Sequence, residues 1–168
     1  MQVERRVSGR FVEWLFSTAR GEKVSHALRG AGLDLERLET DYPAELVPGW
    51  LKLLSSSRHP EMRSADALRQ VGFDAVQRKA KNGRSLAEVM TQLPEKLEAL
   101  GNFFDVSVRT HGEHRYVAHF DDVNTMPTFF LGMLEGVTSS STAQQSMHVT
   151  WSPEGLSGAR YEVKPTQR

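Results

Sequence analysis

Apolar positions along this chain recur at two spacings, and the spacing changes near residue 102. Before that point the period is helical. Residues 22–31 place Val24, Ala27, Leu28 and Ala31 on one face, with Gly32 as the stop. Residues 33–38 read as a turn leading to Tyr42-Pro43. A second face carries Leu46, Val47, Trp50, Leu51 and Leu54, and the serines at 55–57 are expected to end it. Pro60 is expected to open a third helix, with Leu68 and Val71 inside and a break at Gly72. Ser85 and Glu88 have capping-box spacing, followed by a stripe of Leu86, Val89, Met90, Leu93, Leu97 and Leu100. Pro94 predicts a kink or break in that stripe, and Gly101-Asn102 ends it.

Beyond this point the period is two. Phe104, Val106 and Val108 alternate with polar residues, the turn 111–114 follows, and Tyr116, Ala118 and Phe120 alternate with Val117 and His119. Pro127 opens a helix with Phe129, Phe130, Met133, Leu134 and Val137. Residues 138–145 read as a serine-rich loop. Met147, Val149 and Trp151 predict a third strand, 152–155 a turn, and Ala159, Tyr161 and Val163 a fourth. The expected architecture is α+β: N-terminal helices packed on a four-stranded antiparallel sheet, with one helix inserted between the two hairpins. Residues 1–168 read as one domain, frayed over 1–10 and 164–168. Segment 11–16 fits helix through Phe11, Trp14 and Leu15, and strand through Val12 and Phe16.

Composition narrows the chemistry. With 39% hydrophobic and 25% charged residues, the chain is of globular type. Twenty-one basic and 21 acidic residues leave a formal net charge of +0, which argues against a dedicated nucleic-acid binder and a polybasic membrane anchor. There is no cysteine, so disulfides, thiolate metal sites and cysteine nucleophiles are excluded, and a cytoplasmic location is expected. No apolar run approaches the length needed to cross a bilayer.

Several scattered features carry a resemblance. They are Phe11-Val12-Glu13-Trp14-Leu15-Phe16, Ala31-Gly32-Leu33-Asp34, Asp41-Tyr42-Pro43, Gly83-Arg84, Met126-Pro127-Thr128-Phe129-Phe130 with Gly132, and the closing strand from Gly158 through Tyr161. Together the chain resembles a paralogous family of myxobacterial proteins of unknown function. More distantly it looks like the superfamily of haem-nitric-oxide-binding domains, four-vinyl-reductase-type sensors and vesicle-tethering subunits. That resemblance implies a module that binds a small apolar molecule or haem between helices and sheet, or one that acts as a dimeric interaction scaffold; a homodimer or a protein partner is expected. The haem version fails on residues. The position matching its proximal histidine is about Phe104, and those matching its propionate pattern are near Ala118, Phe120 and Asp122.

Candidate sites follow from residue type. Trp50, Met90, Leu97, Phe104, Phe129, Phe130 and Met133, with Phe103, form the candidate apolar pocket, although stripes at helical spacing are usually core. Arg78, Lys79, Lys81 and Arg84 form a basic cluster that suits an anion or a partner's acidic face. His111 and His114 flank a turn with Glu113, a poor preorganisation for metal. His119 and His148 fall at out-facing strand positions, where they could pair across the sheet or meet a dimer seam. Gly155-Leu156-Ser157-Gly158 is no nucleophile elbow, and neighbours Asp121 and Asp122 point to opposite sheet faces. The expectation is a non-catalytic ligand-sensing or protein-interaction module of a bacterial regulatory system, without cofactor or metal. The alternatives are a dimeric adaptor with no ligand cavity and an unrecognised enzyme centred on Asp121, Asp122 and His119. The closing strand at 158–163 or the helix at 127–137 is expected to supply a two-fold interface.

Overall fold

A computed structural model describes residues 4–19, 23–77, 83–99, 101, 105–121, 126–141 and 146–166. Segment 11–16, ambiguous by pattern, is helical, and a short strand precedes its helix. Strand β1 (Arg6–Ser8) pairs antiparallel with β2 (Asp41–Pro43), placing Val7 opposite Tyr42. Arg6 clamps the pair through ion pairs with Asp41 and Glu4. Fraying expected over 1–10 therefore does not extend to Arg6–Ser8, which is tied into this ladder.

Ser8 then caps helix α1 (Gly9–Phe16) by accepting from the Phe11 N–H at 3.2 Å. Helix α1 buries Phe11, Val12, Leu15 and Phe16. At Gly9 the helix start lies against the chain before β2: a Cβ there would fall 2.1 Å from the Glu39 carbonyl oxygen.

Helix α2 (Lys23–Gly30) stops where the glycine predicts. Gly32 has φ of +90°, the Leu33 N–H reaches the Leu28 carbonyl at 2.8 Å, and the Gly32 N–H reaches that of Arg29 at 3.1 Å. Those two bonds are a Schellman closure. Helix α3 (Val47–Arg58) passes through the serines expected to end it. Ser55 is buried and turns its hydroxyl back onto the Lys52 carbonyl, so it does not compete with the helix.

Helix α4 (Ser64–Gln77) starts four residues after Pro60 and runs straight through Gly72. Gly72 is a contact residue, not a breaker. A Cβ there would lie 2.2 Å from the carbonyl oxygen of Phe129 on α6 (Pro127–Ser140). From the other side, a Cβ on Gly132 would lie 1.8 Å from the Arg69 carbonyl oxygen. The two helices therefore approach backbone to backbone, which only glycine permits. Arg69 and Glu135 close the same seam with an ion pair, and that hydrogen bonding pushes the Arg69 pKa up.

Helix α5 (Leu86–Glu98) carries the predicted reciprocal cap between Ser85 and Glu88. Pro94 sits inside it without dividing it. The sheet consists of β3 (Val106–Thr110), β4 (Tyr116–Phe120), β5 (Met147–Glu154) and β6 (Gly158–Pro165), in the antiparallel order β3-β4-β6-β5. The α+β architecture matches the sequence pattern. Besides those of α3 and α4, three boundaries do not. α6 extends to Ser140 because the hydroxyls of Thr138, Ser139 and Ser140 bond back to helix carbonyls. β5 continues through Pro153 and Glu154, and the turn is 155–157, where Gly155 has φ of +63°. β6 reaches Pro165, so Lys164 and Pro165 are strand rather than frayed tail.

The inner face of the sheet carries Tyr116, Ala118, Phe120, Ala159, Tyr161 and Val163, all buried. Helix α6 lies over this face, and residues Phe129 to Leu134 are buried all round, between α4 and the sheet. A single cluster of buried apolar residues runs from α1 through α3, α5 and α6 to the sheet.

Candidate functional site

The described members of the expected apolar pocket are packed core. Trp50, Met90, Leu97, Phe129, Phe130 and Met133 are all buried; Phe104 and Phe103 lie outside the described residues. The aromatic members belong to two groups. Trp50 meets Phe16 and Tyr42 edge-on at 6.5 and 5.3 Å and donates its indole N–H to the Ala31 carbonyl at 3.0 Å. Phe130 packs tilted against Phe120 at 4.8 Å and edge-on against Phe129 at 5.4 Å, and Phe120 meets Tyr161 edge-on at 5.1 Å. Tyr161 donates its hydroxyl to the Pro127 carbonyl at 2.5 Å, which fixes the start of α6 against the sheet. Burial pushes the Tyr161 phenol above its ordinary pKa.

The outer face of the same sheet is charged. Glu162 on β6 is ringed by Arg115 at 2.9 Å, Arg160 at 3.4 Å and Lys164 at 3.7 Å. Burial pushes the Glu162 carboxyl up, but the three cations outweigh it, and its pKa is lowered. His119 does not pair with His148. Its Nδ1 lies 2.6 Å from Glu154 Oε2, while His148 stands opposite Lys164. At Gly158 of β6 the backbone is close-packed: a Cβ there would lie 2.8 Å from the Glu154 carbonyl oxygen and 2.9 Å from that of Phe120.

Asp121 is exposed at the end of β4 and Asp122 lies outside the described residues. His111 and His114 are exposed, and among the described residues no group of three or more potential ligands could hold a metal. Of the basic cluster, Arg84 is half-buried and donates to Gln92 at 3.3 Å; Arg78, Lys79 and Lys81 lie outside the described residues.

One shallow, open hollow has no counterpart in the sequence reading. Thr18, Arg58, Asp74 and Gln77 line a cavity of about 480 Å³ that opens to solvent. Arg58, the last residue of α3, donates to the Thr18 hydroxyl, and Gln77 donates to the Gly136 carbonyl at 3.1 Å. Beside the hollow, His59 Nε2 is buried 3.8 Å from Asp74 Oδ2, with no hydrogen-bond partner among the described residues. These groups come from three separate segments, so no local spacing announces them. The single sequence trace is the i, i+3 placement of Asp74 and Gln77 on α4.

The architecture is H-NOX-like. It is similar to an oxygen-binding H-NOX domain related to soluble guanylate cyclases, with a TM-score of 0.70 at 16% identity, covering 95% of each chain. It is also similar to a mutant of the T. Tengcongensis H-NOX, with a TM-score of 0.67 at 17% identity, covering 95% of this chain and 98% of that one. A structure concerned with heme redox potential and porphyrin distortion aligns with a TM-score of 0.70 at 17% identity, covering 94% of this chain and 99% of the other. By sequence, residues 2–164 match the family described as "Protein of unknown function (DUF2378)", and the chain belongs to that family. No curated protein matches it.

Proposed function

We propose that this chain is a non-catalytic binding domain that recognises a protein partner at its surface and not a haem in its interior. The observation that carries the reading is the filled space between α6 and the sheet. The described residues do not fit a haem. His26, His111, His114 and His148 are exposed, and His119 lies on the outer face of the sheet, held by Glu154. His59 lies at the α3–α4 corner beside Asp74. Cysteine is absent, and the Tyr161 hydroxyl is committed to Pro127. The rings of Phe120, Phe129, Phe130 and Tyr161 pack against one another between α6 and the sheet, and so fill that part of the interior.

The H-NOX-like fold supports a sensing or interaction role without assigning a ligand. The side chains of catalytic type are unsuited to catalysis here. Asp121 is exposed, and His119 is engaged by a hydrogen bond with Glu154 on the outer face of the sheet. Among the described residues, no helix is long and apolar enough to cross a membrane.

A second reading, small-molecule sensing, is favoured by the hollow at Thr18, Arg58, Asp74 and Gln77. Native mass spectrometry of freshly purified protein separates the two. The surface-binding reading expects masses that are sums of polypeptide chains. A reproducible extra mass of small-molecule size, lost in Arg58→Ala, would transfer the function to the hollow.

A further inference from the structure

Neither element expected to form a two-fold interface is available for one. Strand β6 is internal, paired on both sides by β4 and β5, and α6 is enclosed by α4 and the sheet. The sheet ends on two strands, β3 and β5, and the longer edge is that of β5. Among the described residues β5 has a strand on one side only, yet it is eight residues long, and its only buried residue is Val149. Trp151, near the middle of β5, is 37% exposed, and Leu156 at the adjoining turn is fully exposed.

The hydrogen-bond phase of this edge can be read directly. The Thr166 N–H donates to the Ser146 carbonyl at 2.8 Å, one step beyond the Met147–Pro165 pair. In an antiparallel ladder such pairs alternate. Even-numbered residues of β5 therefore turn their backbone groups toward β6. Met147, Val149, Trp151 and Pro153 turn theirs outward. Pro153 has no N–H, so it sits where a proline interrupts no bond to β6.

From this edge we infer that β5 pairs antiparallel with β5 of a second copy of the chain, about a two-fold axis at Trp151. This rests on the surface-binding reading above and names its partner. In that register each Trp151 exchanges N–H and carbonyl with its counterpart. Each Val149 N–H meets the Pro153 carbonyl of the second copy, and the absent proline donor costs one bond on each side. Thr150 faces Ser152, two hydroxyl side chains well matched across strands. On the outer face His148 lies opposite Glu154 of the second copy, so the Glu154 carboxylate is shared between His119 of its own chain and His148 of the other. A shift of one residue, centring the axis on Thr150, sets His148 against Ser152 and Glu154 against Ser146 and loses that complementarity. The pairing would join two four-stranded sheets into one and cover an edge that is otherwise open to nonspecific association.

The test uses the full chain. Sedimentation velocity over a concentration series is expected to show a dimer, and Trp151→Arg is expected to shift it to monomer with an unchanged far-ultraviolet circular dichroism spectrum. Because the chain has no cysteine, a Thr150→Cys/Ser152→Cys double variant carries the only thiols. In the proposed register each thiol at 150 faces a thiol at 152 of the second copy, and mild oxidation is expected to give a doubly linked dimer. A chain that stays monomeric at every concentration overturns the pairing. So does a dimer that survives Trp151→Arg and does not cross-link. A monomer would leave the surface-binding reading standing, since the mass measurement tests that separately.

Discussion

Strands β5 and β6 are the two arms of one hairpin, each eight residues long and in register over their whole length. Their sequences look alike. Met147, Val149 and Trp151 alternate with polar residues in one, and Ala159, Tyr161 and Val163 do so in the other. Their environments differ. All three apolar residues of β6 are buried, whereas β5 buries only Val149. Trp151 and Tyr161 are direct cross-strand partners facing the same side, yet Tyr161 is 0% exposed and Trp151 is 37% exposed. Alternation thus reports which face a side chain takes. Burial depends on where the strand falls in the sheet, and a hairpin arm has no local means of specifying that.

The sharpest way to break this comparison is to truncate both members of the pair. Tyr161→Ala should cost about 3–5 kcal/mol in urea denaturation, because it empties a core site and removes the bond that anchors α6. Trp151→Ala should cost less than about 1 kcal/mol when the measurement is made at dilutions that keep the chain monomeric. Equal losses would mean that β5 is as enclosed as β6.

Gly132→Ala comes next. The added methyl meets the Arg69 carbonyl oxygen, so α4 and α6 must separate, at a cost of about 3 kcal/mol in the same denaturation assay. On α5, away from the hairpin, Ser85→Ala should cost about 1 kcal/mol by thermal unfolding, through loss of the reciprocal cap.

The smallest effect sharpens the contrast between the two sheet faces. The folded state lowers the pKa of Glu162, so its stabilisation is present above the unfolded carboxylate pKa and fades as pH falls through the folded value. Glu162→Gln should therefore lower stability by up to about 1 kcal/mol at neutral pH and flatten the acid limb of a stability–pH curve.

Much of this architecture was legible because local rules and tertiary packing agree. The Schellman closure at Gly32, the capping box at Ser85 and the proline-led start of α6 each satisfy backbone groups within a few residues, so their signals are local. The misreadings share a cause. Gly72 looked like a helix stop, but it is where α4 meets α6. The serines at 55–57 looked like a helix end and Thr138, Ser139 and Ser140 like a loop, but all are helical, with the hydroxyls of Ser55, Thr138, Ser139 and Ser140 bonded back to their own turns. Glycine and serine have weak intrinsic helix preference, and the packing of the helices around Gly72, Ser55 and Thr138 overrides it.

The candidate sites divide in the same way. The residues chosen for an apolar pocket were correctly apolar and, where described, are buried. Residue type cannot distinguish a lined cavity from a filled one, because that depends on how rings such as Phe120 and Phe130 interlock across α6 and β4. The hollow at Thr18, Arg58, Asp74 and Gln77 joins residues up to 59 positions apart and left only a faint trace.

From the amino-acid order alone came the α+β class, the two hairpins with a helix between them, the faces of the strands, and the absence of any thiol chemistry. Strand order, the enclosure of α6, the packing of the interior and the open edge at β5 had to await the folded chain. The first set depends on periodicity and on backbone groups satisfied nearby, while the second depends on contacts between segments whose separation along the chain carries no signal.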